Sequence, residues 1–226
     1  MAEIRFTAVH HRFGTRIVLE KLDLTLVEQR IGIVGANGSG KSTMARMING
    51  LVKPTSGSVT VDGLDTTAKG RDVRRRVGFV FTDPDNQIVM PTVAEDVAFS
   101  LRRSGLSKPE IQERTREVLR RFDLHEHADH PTHLLSGGQK QLLAIAAVLI
   151  TGPDVIVADE PTTLLDLRNS RMVNDLLAGM PEQVVLVTHH LHLLDGFDRV
   201  VVLDSGRVIA DGSPESAVDS YTRLLA

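Results

Sequence analysis

Ile4, Phe6 and Ala8 alternate with polar residues at the start of the chain. A period of two predicts a strand with these three side chains on one face. Similar patterns follow at Ile17 to Leu19 and Leu22 to Leu26, and again in "SVTVDG" (Ser58 to Gly63). Together they predict a small N-terminal antiparallel sheet. Five later runs are short and apolar throughout: Ile31–Val34, Val77–Phe81, Val155–Ala158, Val184–Thr188 and Val200–Leu203. Strands apolar on both faces belong in a parallel sheet covered by helices on each side. From Val93 to Ile150 the period changes to that of helices. Ser107 and Glu110 form a capping box with Pro109 just inside it, and Ile111, Thr115, Val118, Leu119 and Phe122 then share one helical face. The expectation is one α/β domain over residues 1–226 with a helical subdomain inserted at about 85–150.

Composition narrows the functions open to this chain. At 42% hydrophobic and 24% charged residues, its 226 residues can bury a sizeable core. A formal net charge of -3 gives no electrostatic footprint for nucleic acid, and the lack of cysteine excludes disulfides and cysteine-based zinc sites. The N-terminus has no apolar core of signal-peptide type. The longest apolar run, Leu142 to Ile150, is far short of the ~20 residues of a membrane helix. Work at a membrane would therefore go through a partner.

Chemistry enters at "GANGSGKST", Gly35 to Thr43, between a predicted strand and a predicted helix. The spacing is that of a phosphate-binding loop, in which successive backbone N–H groups and a helix start converge on phosphate oxygens. Asn37, Gly38, Ser39, Gly40, Lys41, Ser42 and Thr43 would contact the nucleotide, with Lys41 on the β- and γ-phosphates and Ser42 on Mg²⁺. "VIVADEP" supplies the carboxylates: Asp159 for the Mg²⁺ shell and Glu160 as the base that activates water. Such a combination predicts a P-loop NTPase (RecA-like) core, with ATP and Mg²⁺ as ligands.

A second anion-facing segment lies at Ser136-Gly137-Gly138-Gln139, where an S-x-x-Q capping box fixes a helix start and two glycines permit close approach. In this order, Gly35–Thr43, Ser136–Gln139, Val155–Glu160 and His189 resemble the motifs of ABC-type ATPases over essentially the whole chain. The resemblance implies a head-to-tail dimer, here a homodimer, in which each signature loop faces the γ-phosphate held by the partner subunit. It further implies a Q-loop role for Gln87 (Mg²⁺ or water), a switch role for His189, a D-loop role for Asp166 and adenine stacking for Phe13. Departures from the family pattern are Glu28-Gln29 where Gly-Glu is usual, His190 where an acid is common, and Leu164-Leu165 in place of small residues. His125, His127, His130 and His133 have mixed spacing and no sulfur ligand, and read as a solvated loop rather than a metal site.

"FTDPDNQIVMPTVAEDVAFSL" around Gln87 resembles the energy-coupling factor (ECF) group of vitamin and metal importers. Membership would imply a transmembrane coupling subunit, a substrate-binding membrane subunit and a place on the cytoplasmic face of the membrane. An arginine of the coupling subunit would meet Glu95 or Asp96. "MINGLVKPTSGSV", "TTLLDLRN" and "THHLHLLDGFDRV" look most like the ATPase of biotin transporters. Alternatives are the ATPase of a cobalt or nickel importer and a free-standing soluble ABC ATPase.

Overall fold

A computed structural model describes residues 1–225. In chain order its elements are β1 (Ile4–Phe13), β2 (Arg16–Leu26), β3 (Arg30–Gly35), α1 (Lys41–Ile48), β4 (Ser56–Val61), β5 (Leu64–Asp65), α2 (Gly70–Arg76) and β6 (Val77–Val80). There follow α3 (Val93–Phe99), α4 (Lys108–Arg121), α5 (Gly137–Leu149), β7 (Val155–Asp159) and α6 (Leu167–Ala178). The chain ends with β8 (Gln183–Val187), β9 (Arg199–Asp204), β10 (Arg207–Gly212) and α7 (Pro214–Leu225). Two compact units emerge. The first comprises Met1–Phe79, Asp154–Glu160 and Leu176–Ala226, and the second Val80–Pro153 and Pro161–Asp175.

The first unit is built on two sheets, β2-β1-β4-β5 and β10-β9-β3-β8-β7-β6. Every residue of β3, β7 and β8 is buried, which explains their apolar runs Ile31–Val34, Val155–Ala158 and Val184–Val187. These three run parallel with β9, as in the pairings Gly32↔Val200 and Ile33↔Val187. At the edge, β10 turns back antiparallel on β9. Its alternating, half-exposed sequence, "RVIADG", was outside the strand set expected from apolar runs. Arg30, the first residue of β3, is 8% exposed. Its guanidinium donates to the carbonyls of Ala178 and Glu182, each at 2.8 Å, and to that of Met180.

In β1 the expected inner face is correct for Ile4 and Phe6 but not for Ala8. A register shift lies between Phe6 and Val9, so Val9 takes the inner position at 0% exposure. Ala8 is turned outward at φ 45°, and its N–H donates to Asp23 Oδ1 at 2.7 Å. Such a bulge adds one residue and changes the parity of everything after it.

The second unit is helical. Both bonds of the Ser107–Glu110 capping box are present at the start of α4. Thr115, Leu119 and Phe122 are buried on its inner face, at 5, 2 and 3% exposure. Helix α5 is the most apolar, with Leu143, Ala144, Ile145 and Ala146 fully buried. Leu134, Leu164 and Leu167 lie outside this core, at 71, 62 and 59% exposure.

A left-handed conformation costs an L-residue about 1–2 kcal/mol, whereas glycine's extra chain entropy costs roughly 0.5–1 kcal/mol. Ala8→Gly should therefore raise stability by about 0.5 kcal/mol, and the thermal midpoint by about 1–2 °C for a chain of this size. A fall in the midpoint by calorimetry would show that the Ala8 methyl group contributes packing.

Candidate functional site

Strand β3 ends at Gly35, whose φ is 153°. A Cβ there would stand 2.1 Å from the Leu203 carbonyl oxygen, so only glycine lets the chain leave the sheet at this point. The chain then crosses Ala36 to Ser39 and enters α1 through Gly40, with no side-chain cap. An uncapped helix start leaves backbone donors and a partial positive charge for an anion. Lys41 is only 5% exposed, and its ammonium donates to the Gly35 and Ala36 carbonyls at 2.8 and 3.1 Å. Burial pushes this ammonium's pKa down, while Glu160 and Asp159 pull it back up. Ser39 Oγ is buried with no hydrogen-bond partner among the described residues. A buried hydroxyl so placed favours an incoming phosphate oxygen. Asn37 and Gly38 sit at the exposed tip of the loop, and Thr43 is half-buried in the first turn of α1.

The second component is a buried carboxylate. Asp159, at the end of β7, is 1% exposed. Its Oδ1 accepts from Ser42 Oγ at 2.7 Å, and Arg46 Nη2 lies 3.2 Å from Oδ2. Desolvation pushes the carboxyl pKa up, against the Ser42 hydrogen bond and the Arg46 charge. The Ser42 hydroxyl and this carboxylate converge as two hard oxygen donors, the set that Mg²⁺ takes from protein while phosphates and water fill its remaining positions. They fit the cation. Arg46 was not among the residues expected here, although its spacing of four from Ser42 on a helix signals a shared face. Arg16 was missed as well. Its Nη2 comes within 3.4 Å of the place a Cβ on Gly38 would occupy, an approach that only the fold reveals.

Glu160 follows in a left-handed conformation, φ 54°, with its N–H bonded to the Val187 carbonyl at 2.9 Å. A non-glycine residue held there stores strain of the kind that gathers at functional sites. Its Oε2 lies 2.6 Å from His189 Nδ1. The His190 ring lies tilted against His189 at 4.0 Å between centroids, and His192 is 5.6 Å from His190. Burial, followed by the His189 and His192 charges, depresses the His190 pKa and favours its neutral form.

Phe13 closes β1 with its ring 58% exposed and edge-on to His11 at 4.6 Å. It pairs across the hairpin with Arg16, the residue beside Gly38. Such exposure leaves a flat apolar face for a base rather than a core contact.

In the second unit the Ser136 capping box is complete. Ser136 N–H donates to Gln139 Oε1 at 2.9 Å, and Gln139 N–H to Ser136 Oγ at 3.3 Å. Lys140 N–H bonds the Ser136 carbonyl at 2.9 Å. Gly137 and Gly138 thus carry the N–H groups that remain for an external acceptor. A Cβ on Gly138 would stand 2.6 Å from the Asn169 side chain. Asn169 is held by Asp166, which accepts from its N–H at 2.8 Å and from Nδ2 at 3.0 Å, so Asp166 caps the start of α6. Gln87 accepts from Phe81 N–H at 3.2 Å and donates to the Ala144 carbonyl at 3.1 Å. No cluster of three His, Asp or Glu residues able to hold a metal exists among the described residues.

Lys41, Ser42, Asp159, Glu160 and His189 thus share the first unit, while Gln87, Ser136–Gln139 and Asp166 belong to the second. No helix among the described residues is long and apolar enough to cross a membrane.

Residues 19–163 match the ABC transporter family. The biotin transport ATP-binding protein BioM of Rhizobium etli is 47% identical, over 99% of each chain. An energy-coupling factor transporter ATP-binding protein, EcfA1 of Caldanaerobacter subterraneus, is 42% identical over 88% of this chain and 74% of its own. The structure of cbiO1 from Clostridium perfringens, part of the ABC transporter complex cbiONQ, superposes with a TM-score of 0.86 at 31% identity, covering 98% of this chain and 92% of that one. An ATP-binding cassette solved as a dimer in a post-hydrolysis state with ADP and Pi gives 0.81 at 32% identity, covering 93% and 98%. The chain therefore belongs to the ABC transporter family, as an ATP-binding and ATP-hydrolysing cassette similar to those of energy-coupling factor transporters.

Proposed function

We propose that this cassette powers an ECF-type importer and that the imported compound is biotin. The observation that carries the catalytic part is the pairing of Glu160 with His189 at 2.6 Å, one residue after the Ser42–Asp159 contact at 2.7 Å. A carboxylate acceptor thus directly follows the cation-holding pair. The substrate reading rests on the full-length 47% identity to the biotin transport protein BioM. That match favours biotin over the cobalt or nickel alternative.

In the proposed cycle two copies bind ATP head to tail, and the α1 loop and Lys41 of one copy hold the phosphates. The Gly137 and Gly138 N–H groups of the other copy reach the same γ-phosphate, and Phe13 stacks on adenine. Ser42 and Asp159 would hold Mg²⁺, which would neutralise charge on the phosphates. Glu160 orients water and takes its proton as the oxygen attacks the γ-phosphorus, and the bond to ADP breaks to give ADP and Pi. His189 fixes the Glu160 carboxylate in place. Coupling would run through α3. Asp96 is 3% exposed, and its Oδ1 accepts from the Val89 and Met90 N–H groups at 2.8 and 2.9 Å. Glu95 is exposed, and its Oε2 accepts from Thr92 Oγ1 at 2.8 Å. Of the two acids, Glu95 is the one placed to meet an arginine of the membrane subunit.

The test is affinity purification of the Glu160→Gln protein from gently solubilised native membranes. A multi-span protein together with a small biotin-loaded membrane protein supports the assignment. Bound cobalt or nickel would move it to the alternative importer, and recovery without any membrane protein would overturn the importer reading.

Steady-state hydrolysis by Glu160→Gln should fall by about 10²- to 10⁴-fold, with an ATP-bound dimer accumulating on gel filtration. Near-normal turnover would remove Glu160 from the role of base. Asp159→Asn should separate stability from binding. A folded pKa above the unfolded one means that Asp159 stabilises the fold below the unfolded value and that this contribution is lost as pH rises through the folded value. The uncharged variant should thus melt higher than wild type at pH 7, with the advantage shrinking towards pH 4, while Mg-ATP affinity drops. Glu95→Arg should keep ATP affinity but no longer co-purify membrane subunits; intact assembly would exclude this acid as the docking charge.

A further inference from the structure

Next to the signature helix, two histidines of the 125–133 segment are joined to its cap. Gln139 Nε2 lies 2.9 Å from His127 Nε2, and His127 Nδ1 lies 2.9 Å from His130 Nδ1. The Ser136 N–H already donates to Gln139 Oε1 at 2.9 Å, which fixes the amide with its NH₂ towards His127. An amide NH₂ can only donate, so His127 Nε2 must accept and carries no proton. Neutral His127 then bears its proton on Nδ1 and donates to His130 Nδ1, which must in turn be bare. One chain of donors results: Ser136 to Gln139 to His127 to His130.

We propose that His127 is a positioning residue for the signature helix, holding the Gln139 half of its cap in place only while both imidazoles are uncharged. Protonation of His127 sets N–H against NH₂. Rotating the Gln139 amide to repair that contact would turn its NH₂ onto the Ser136 N–H. Protonation of His130 on Nδ1 opposes the His127 N–H in the same way. Histidine is the side chain whose charge changes between about pH 5 and 8, so acid loosens the cap beside Gly137 and Gly138. The inference rests on the proposed role of these glycines as the grip on the partner subunit's γ-phosphate.

Other charges around the pair come from each element packed there. Its own segment supplies His125, 3.8 Å from Asp123, together with Glu126, Asp129 and His133. From α5 comes Lys140, held by Asp85 at 2.7 Å. The Val93 and Ala94 N–H groups of α3 bond the His130 and Ala128 carbonyls at 3.2 and 2.9 Å. That helix adds Glu95 and Asp96, engaged as described above. The last turn of α4, which packs on residues 125–127, adds Arg120 and Arg121.

The experiment compares ATP hydrolysis from pH 8 to pH 6 by the full-length protein and by His127→Gln, whose amide oxygen can accept from Gln139 at every pH. Between these limits wild type should lose about fivefold more activity than the variant, the worth of one helix-cap interaction. At pH 8 the two should agree within about twofold, while His127→Ala should be slower throughout. Nitrogen-15 spectra of the wild-type imidazoles at pH 8 should show His127 protonated on Nδ1. Because His189 and His190 are present in all these proteins, the ratio of the profiles isolates His127. Parallel profiles, or a His127 protonated on Nε2, would overturn the proposal even if the alanine variant folds poorly. Full activity of Ser136→Ala would instead remove the phosphate-grip reading, and with it the inference, while leaving the tautomer result intact.

Discussion

Burial of the Asp159 carboxylate is the constraint from which the first unit is best understood. A charge at 1% exposure survives there because Ser42 and Arg46, from successive turns of α1, address its two oxygens. This requires α1 to start directly above the end of β7, which in turn fixes the loop that leaves β3. The strand order β3-β8-β7 sets that distance, and the apolar runs of these strands supply the dry floor. Desolvation works against the ionised group, so the arrangement serves ligand binding at some cost in stability.

The starts of α1 and α5 present their free N–H groups in opposite ways. At α1 no side chain caps the first turn, and a buried lysine and an unpartnered serine hydroxyl surround the free donors. At α5 a full capping box takes up the N–H groups of Ser136 and Gln139, leaving the two glycines between. The first suits an anion held on several sides. The second suits one approached from outside the chain, where only a narrow, stiff pair of N–H groups should be presented.

Much of this was legible from residue order. The phosphate loop, the acidic pair after an apolar strand and the capped glycines are local patterns whose chemistry depends on neighbours within a few positions. The central strands announced themselves because burial on both faces favours apolar runs, with Arg30, Asp159 and Gln183 standing at strand ends. The remainder depends on contacts across long separations. Ala8 was assigned to the inner face because alternation gives no warning of a bulge, whose signal is the bond from its N–H to Asp23. Arg16 becomes relevant only when the β1–β2 hairpin brings it to Gly38, and residue order does not tell that the Asp96 carboxylate closes on Val89 and Met90. Strand β10 went unnoticed because an edge strand keeps half its surface in water. The histidine segment, read as solvated, turned out to be tied to Gln139 through a side-chain contact that spacing does not encode.

The left-handed backbone at Glu160 has a bearing on how such a chain can change over generations. Asparagine, aspartate and glycine occupy that conformation with less strain than glutamate does. None of them combines its ease there with a carboxylate on so long a stem. Mutational drift scored only by folding would thus move position 160 away from glutamate while making the chain easier to fold. Wherever glutamate is kept at such a position, something other than folding must hold it there, and a copy released from that requirement should lose this residue early.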